Sequence, residues 1–240
     1  MTRNRTWYLL LILAIGFGAC NLKTEVNISI SQNNMKQIGL AFHKFHETHK
    51  HLPAADSNGN RKDPNNQRQN AGLSWRVYLL PYMEEQALFN QFKLDEPWDS
   101  LSNKKLISKM PSLFANPNSK NSRESGKTSI HVFVGKNNTP FSVGTNGSRF
   151  NHITDGTSNT LMAVVAGDDK AEIWTKPGGL PFDPNENPID LLGKLPADSF
   201  LALFCDGYVR QISTKISSET LRNLIQHKDG KVERDLGELP

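Results

Sequence analysis

The chain has 240 residues, of which 37% are hydrophobic, with 28 basic and 24 acidic side chains and a formal net charge of +4. This suits one globular domain of moderate size with long polar loops. The charge is too small, and the basic residues too dispersed, for a nucleic-acid footprint, so no nucleic-acid partner is expected. Two cysteines, Cys20 and Cys205, allow at most one disulfide. None is expected, because the chemistry around Cys20 points elsewhere.

Arg3 and Arg5 precede an apolar run from Trp7 to Phe17, then Gly18, Ala19 and Cys20. A basic start, an apolar stretch of about 11 residues and small residues before a cut form a secretory signal pattern. The run is shorter than the roughly 20 residues that span a bilayer as a helix. The end, Phe17-Gly18-Ala19-Cys20, resembles a bacterial lipoprotein signal. That resemblance implies cleavage before Cys20, acylation of Cys20 and a body held at a membrane surface outside the cytoplasm. Phe17 departs from the leucine usual at its position. The expected division is a signal at 1–19, a tether at 20–31, one domain at 32–226 and a flexible charged tail at 227–240.

Val26, Ile28 and Ile30 alternate with polar residues, as a short strand or an extended tether would. An amphipathic helix follows, from Gln32 to Lys50. Met35, Ile38, Phe42 and Phe45 recur at steps of three and four, within an arc of roughly 80° that also takes in His49. Lys36, Lys44 and Glu47 point away. Ser31 is a candidate N-cap, and Pro53 lies just past the end. A narrow apolar ridge of this kind needs cover, and in a mixed domain the cover is a sheet.

Residues 53–72 are dense in turn formers and read as a long loop. Trp75, Val77 and Leu79 alternate, which favours a short strand, and a helix to about Phe92 follows. Ser102 to Met110 reads as another short helix, closed by Pro111. Ile130 to Val134 is a strand by β-branched content. Residues 136–151 form a connection, and Leu161 to Ala166 a buried strand. Glu172 to Thr175 is a further short strand, and 181–196, with four prolines, is loop. Apolar runs on both sides of Asp206-Gly207 predict a hairpin. Ser217 or Ser218 caps a last helix to about Gln226, with Leu221, Leu224 and Ile225 on one side.

Several segments, in order, resemble the domain of unknown function 1559 family, prepilin-like proteins abundant in planctomycete bacteria. They are Asn33-Asn34-Met35-Lys36-Gln37-Ile38-Gly39-Leu40-Ala41-Phe42-His43, Leu73-Ser74-Trp75-Arg76-Val77, Leu94-Asp95-Glu96-Pro97-Trp98-Asp99, Ile153-Thr154-Asp155-Gly156-Thr157-Ser158-Asn159-Thr160 and Asp206-Gly207-Tyr208-Val209-Arg210. The resemblance implies an α+β, pilin-like fold, with an N-terminal amphipathic helix packed on an antiparallel sheet, long loops and short extra helices. It implies no established activity. The chain departs from the family in its lipoprotein-like start, in Pro196 where many members place a histidine, and in Phe114-Ala115-Asn116-Pro117 where members often carry a cysteine.

Candidate chemistry is sparse. His43, His46, His49 and His51 lie close in sequence, but only Glu47 is near as an acid, short of the ligand set zinc requires. His49 is expected to pack on the sheet and the others to be solvated. Asp155, Thr157, Ser158 and Asn159 are oxygen-rich, yet without a calcium-loop pattern they read as a structural turn. Cys205 reads as an inert core thiol, and Trp75, Trp98 and Trp174 as core rather than a sugar-stacking face. No catalytic residues, cofactor or metal ligands are assigned; Cys20 is the one site residue, for lipidation. The expected role is a non-enzymatic lipoprotein of the bacterial cell envelope, with the membrane and other envelope or pilin-like proteins as partners. The alternative is an extracytoplasmic solute- or glycan-binding lipoprotein.

Overall fold

The computed structural model describes residues 5–55, 72–117, 125–136, 138–142 and 146–233, with side chains from Glu25 onward. The signal cut and the Cys20 side chain therefore lie outside the described residues, as does most of the 53–72 loop. The first element is one continuous helix, α1 (Arg5–His49). Its end agrees with the sequence pattern, and the chain turns away at Lys50 with a left-handed φ of +64°. Its start does not. Residues 26–30 are helical rather than extended, and Ser31 is an interior helical residue, not a cap. No glycine or proline occurs between Cys20 and Ile38, so nothing local stops the helix there.

The expected ridge is buried. Met35, Ile38 and Phe42 have no exposed surface and Phe45 is 6% exposed, while Lys36, Lys44 and Glu47 face solvent. Its cover comes from two directions. One is α2 (Trp75–Leu79) with the 3-10 turn Leu80–Met83. The segment expected as a strand is thus helical, because the Ser74 side chain caps it by accepting from the Arg76 backbone N–H at 3.3 Å. Trp75, Arg76, Val77 and Leu79 are all buried, so the alternation never marked an inner and an outer face. The helix expected to Phe92 is broken into that turn and α3 (Gln86–Phe89) by Glu84, at φ +63°. The short helix before Pro111 is present as the 3-10 segment Asn103–Lys109.

The second cover is the main sheet. The strands are β1 (Lys127–Thr128), β2 (Ile130–His131), β3 (Phe133–Gly135), β4 (Phe141–Ser142), β5 (Leu161–Val165), β6 (Glu172–Ile173), β7 (Leu180–Pro181), β8 (Ser199–Phe204) and β9 (Val209–Ser213). The main sheet is antiparallel in the order β2-β5-β8-β9. A parallel trio, β4-β3-β7, and the pair β1-β6 stand beside it. The apolar run Ile130–Val134, expected as one strand, is divided at Val132 between the main sheet and the trio. The β8–β9 hairpin turns at Asp206-Gly207, as expected. The Asp206 carboxylate accepts from the Tyr208 N–H at 2.9 Å, and Gly207 sits at φ +88°, which glycine adopts without strain.

The main sheet is covered on both faces. On β8, Leu201 and Leu203, with Cys205 just past it, join the cluster around α1, while Phe200, Ala202 and Phe204 join a second one. The second cluster is closed by α4 (Ser218–Ile225) and the 3-10 turn Pro188–Leu192. Ser217 is the α4 cap, accepting from the Thr220 N–H at 3.0 Å, and Leu221, Leu224 and Ile225 are buried as expected. Burial on both faces is why β5 and β8 read as near-continuous apolar runs. A register shift between Leu161 and Ala163 puts Met162 and Ala163 in the same cluster, as a bulge does. The class is α+β, with an N-terminal helix, antiparallel strands and short helices.

Candidate functional site

The four helix-end histidines do not behave as expected. His43 and His46 are half-buried, because Phe150 of the 3-10 turn Phe150–His152 lies against both, with ring centroids 4.7 and 4.2 Å away. His46 Nε2 accepts from the Phe150 backbone N–H at 3.1 Å, tying α1 to a chain segment about a hundred residues away. Partial burial, with His43, His51, Lys50 and Arg149 adding positive charge, holds the His46 imidazole below its usual range. His49 is exposed rather than packed on the sheet, with its ring tilted against that of Phe45 at 4.2 Å and its Nε2 meeting the Tyr82 hydroxyl at 3.1 Å. These rings staple loops to the helix end. Among the described residues, no group of three or more His, Cys, Asp or Glu side chains could hold a metal ion.

The Asp155 turn is structural. Its two carboxylate oxygens accept from the Asp229 and Gly230 N–H groups at 2.8 and 2.9 Å. Asn159 accepts from the Glu233 N–H, and Asn223 donates to the Glu233 carboxylate. The segment 228–233, expected to be loose, is thus hydrogen-bonded to the body, because the backbone donors there have acceptors waiting in the turn. Cys205 is fully buried, and burial raises its thiol well above the ordinary range, with Asp206 adding to the effect. Trp75 and Trp174 have no exposed surface and Trp98 is half-buried against the core.

Arg76 is 2% exposed, and among the described residues it has no carboxylate hydrogen bond. Its guanidinium donates to the Ser74 hydroxyl at 3.0 Å and to the Ile130 carbonyl, and it lies 4.5 Å over the Trp75 ring. Burial pulls it down to about 9, Glu172 acting the other way, so it stays charged at neutral pH. Buried beside Ile130, His131 is pulled down to about 3 by desolvation and by Arg76, and stays neutral. This pair joins α2 to β2, and no open surface reaches it.

One open concavity brings polar groups together. It holds about 360 Å³, and its lining includes Ser148, Asn151, His152, Thr154, His227 and Lys228. The backbone fixes it firmly. The Ser148 carbonyl accepts from the Leu52 N–H at 3.0 Å, and its N–H donates to the Pro140 carbonyl at 2.7 Å. His227 is held by Asn138 and Thr154 through backbone bonds of 3.1 and 2.9 Å. Gly147 makes this possible, since a Cβ there would lie 2.6 Å from Leu52 Cβ and 2.9 Å from the Pro53 carbonyl. Ser148 Oγ and His227 Nε2 are 3.4 Å apart, while His227 Nδ1 is buried without a partner. Burial lowers the His227 imidazole, so it is neutral at pH 7. The Asp155 carboxylate, committed to two backbone donors, does not orient this ring, so the Ser–His contact lacks the third member of a triad. Sequence reasoning missed this cleft entirely. Ser148 and His227 are 79 residues apart, and no spacing or motif links them.

Residues 30–138 match the model of a family described as Protein of unknown function (DUF1559). No curated protein and no solved structure matches the chain. Every lining residue of the cleft lies beyond the matched segment. Among the described residues, no helix is long and apolar enough to cross a membrane.

Proposed function

With residues 30–138 belonging to the DUF1559 family, we propose that the chain is a non-enzymatic module of the bacterial cell envelope. It is anchored by lipid on Cys20 and holds its α+β body outside the cytoplasm as a structural or interaction unit. One observation supports this above others: the body buries the Met35, Ile38, Phe42 and Phe45 ridge of α1, while residues 25–30 just before it are exposed or half-buried. Val26 is 55% and Ile30 42% exposed. A helix that enters a domain from outside suits a stalk between an anchored end and a folded head. Its exposed apolar side chains suit contact with a neighbouring envelope protein. The glycan-binding alternative loses its main support, because Trp75 and Trp174 cannot stack on a sugar from inside the core.

The test is expression from the native start, membrane fractionation and intact mass of the mature chain. A mature N-terminus at Cys20 carrying acyl mass is expected, because several acyl chains hold a protein where one binds only marginally. Cys20→Ala is expected to release the protein to the soluble fraction. An intact Met1 without acyl mass, or a Cys20→Ala variant as membrane-bound as the parent, overturns the anchoring claim.

A further inference from the structure

The cleft at Ser148 and His227 is a donor-rich surface. Ser142, Ser148 and Thr154 bring hydroxyls, Asn151 an amide, His152 an imidazole and Lys228 an ammonium group. Among the described residues, no carboxylate lines it. Among the described residues, the side chains of Ser142, Asn151, His152, Thr154 and Lys228 make no hydrogen bond or ion pair with one another or with any other described side chain or backbone group. The neighbouring acids are committed: Asp155 accepts from the Asp229 and Gly230 N–H groups, and Asp229 accepts from the Gln226 side chain and the Lys231 N–H. Arg149, next to Ser148 in the chain, adds positive charge nearby. A volume of about 360 Å³ falls within the roughly 300–1,000 Å³ typical of small-molecule sites.

We propose that this cleft binds the phosphate group of a small phosphate monoester, with Lys228 and His152 facing the charge and Ser148 and Thr154 donating to its oxygens. A phosphate presents several acceptor oxygens and no obligatory donor, which complements hydroxyls, an amide and an ammonium group converging on one concavity. A metal cation would find no anionic ligand there. A carboxylate, with two oxygens, would leave more of these donors unused. The pairing of Ser148 with Leu52 and Pro140, and of His227 with Asn138 and Thr154, prebuilds the site, so little ordering is needed on binding. The proposal does not depend on how the chain is anchored.

The test uses the full chain in detergent, titrated with inorganic phosphate and with glycerol phosphate at constant ionic strength, followed by calorimetry and by ³¹P line broadening. Saturable binding is expected, weakened at least 10-fold in the variant carrying both Lys228→Ala and His152→Ala. Both side chains are exposed, so the urea midpoint is expected to hold, which separates lost binding from lost folding. Repeating the titration in phosphatidylcholine vesicles with and without phosphatidic acid separates the sources. Suppression by phosphatidic acid identifies a lipid headgroup as the natural occupant, and unchanged binding identifies a free solute. Absence of saturable binding, binding unaltered in the double variant, or full displacement by chloride overturns the proposal.

Discussion

Phe42→Ala measures the central packing directly. The Phe42 ring has no exposed surface, stacks on Trp75 at 5.1 Å and leans on Phe141 at 5.7 Å. Truncation removes the ring and leaves a hole beside Trp75 of α2 and Phe141 of β4. Buried Phe→Ala changes cost about 3–5 kcal/mol, and lost aromatic pairing belongs to that figure. Against a typical total of about 5–15 kcal/mol, this is between about a fifth and all of the stability. At about 2–4 °C per kcal/mol for a chain of this size, the melting temperature should fall by roughly 6–20 °C. Leu40→Ala is the control: on the same helix, 55% exposed, it should change stability by no more than about 0.5 kcal/mol. Urea unfolding followed by far-ultraviolet circular dichroism reads both. A Phe42→Ala cost below about 1 kcal/mol, or equal costs for the two variants, would refute the placement of the ridge against its cover.

Acid should destabilise the fold through its histidines. His46, His131 and His227 all bind protons less readily folded than their ordinary value of 6.5 allows, chiefly because burial penalises the charged ring. Their contribution is therefore complete above about pH 6.5 and is lost as pH falls, down to about 3 in the case of His131. The urea midpoint should drop from about pH 8 to about pH 4, and less steeply in His46→Gln, which keeps an acceptor for the Phe150 N–H without titrating; identical profiles would contradict the His46 contact. Cys205 should resist a thiol reagent in the native protein and react once urea unfolds it, since burial and a raised thiol both suppress the thiolate; rapid native reaction would show that the β8 end is open.

Where burial follows a simple period, the sequence was readable. The α1 ridge, the Asp206-Gly207 hairpin, the β5 run and the Ser217 cap each rest on interactions within a few residues, and each is present as expected. Errors arose where tertiary contacts overrode a local pattern. Trp75, Val77 and Leu79 alternate, yet all sit in the core because Arg76 between them is buried too, its charge met by Ser74, Ile130 and the Trp75 face. Ser31 has the chemistry of a cap but no helix stop before it. The tail's docking depends on Asp155 and Asn159, more than 70 residues upstream. The cleft was invisible for the same reason: its groups come from separate turns, and only the backbone ties at Ser148 and His227 bring them together.

The two-faced main sheet also bears on how such a chain can change over generations. Neighbouring side chains of β8 point into separate clusters, so enlarging Ala202 for one side shifts the backbone that seats Leu201 and Leu203 on the other. Drift in either half is then permitted only when the opposite half accommodates it. Surface loops, including those that shape the cleft, carry no such double obligation and are free to diversify around a slowly varying centre.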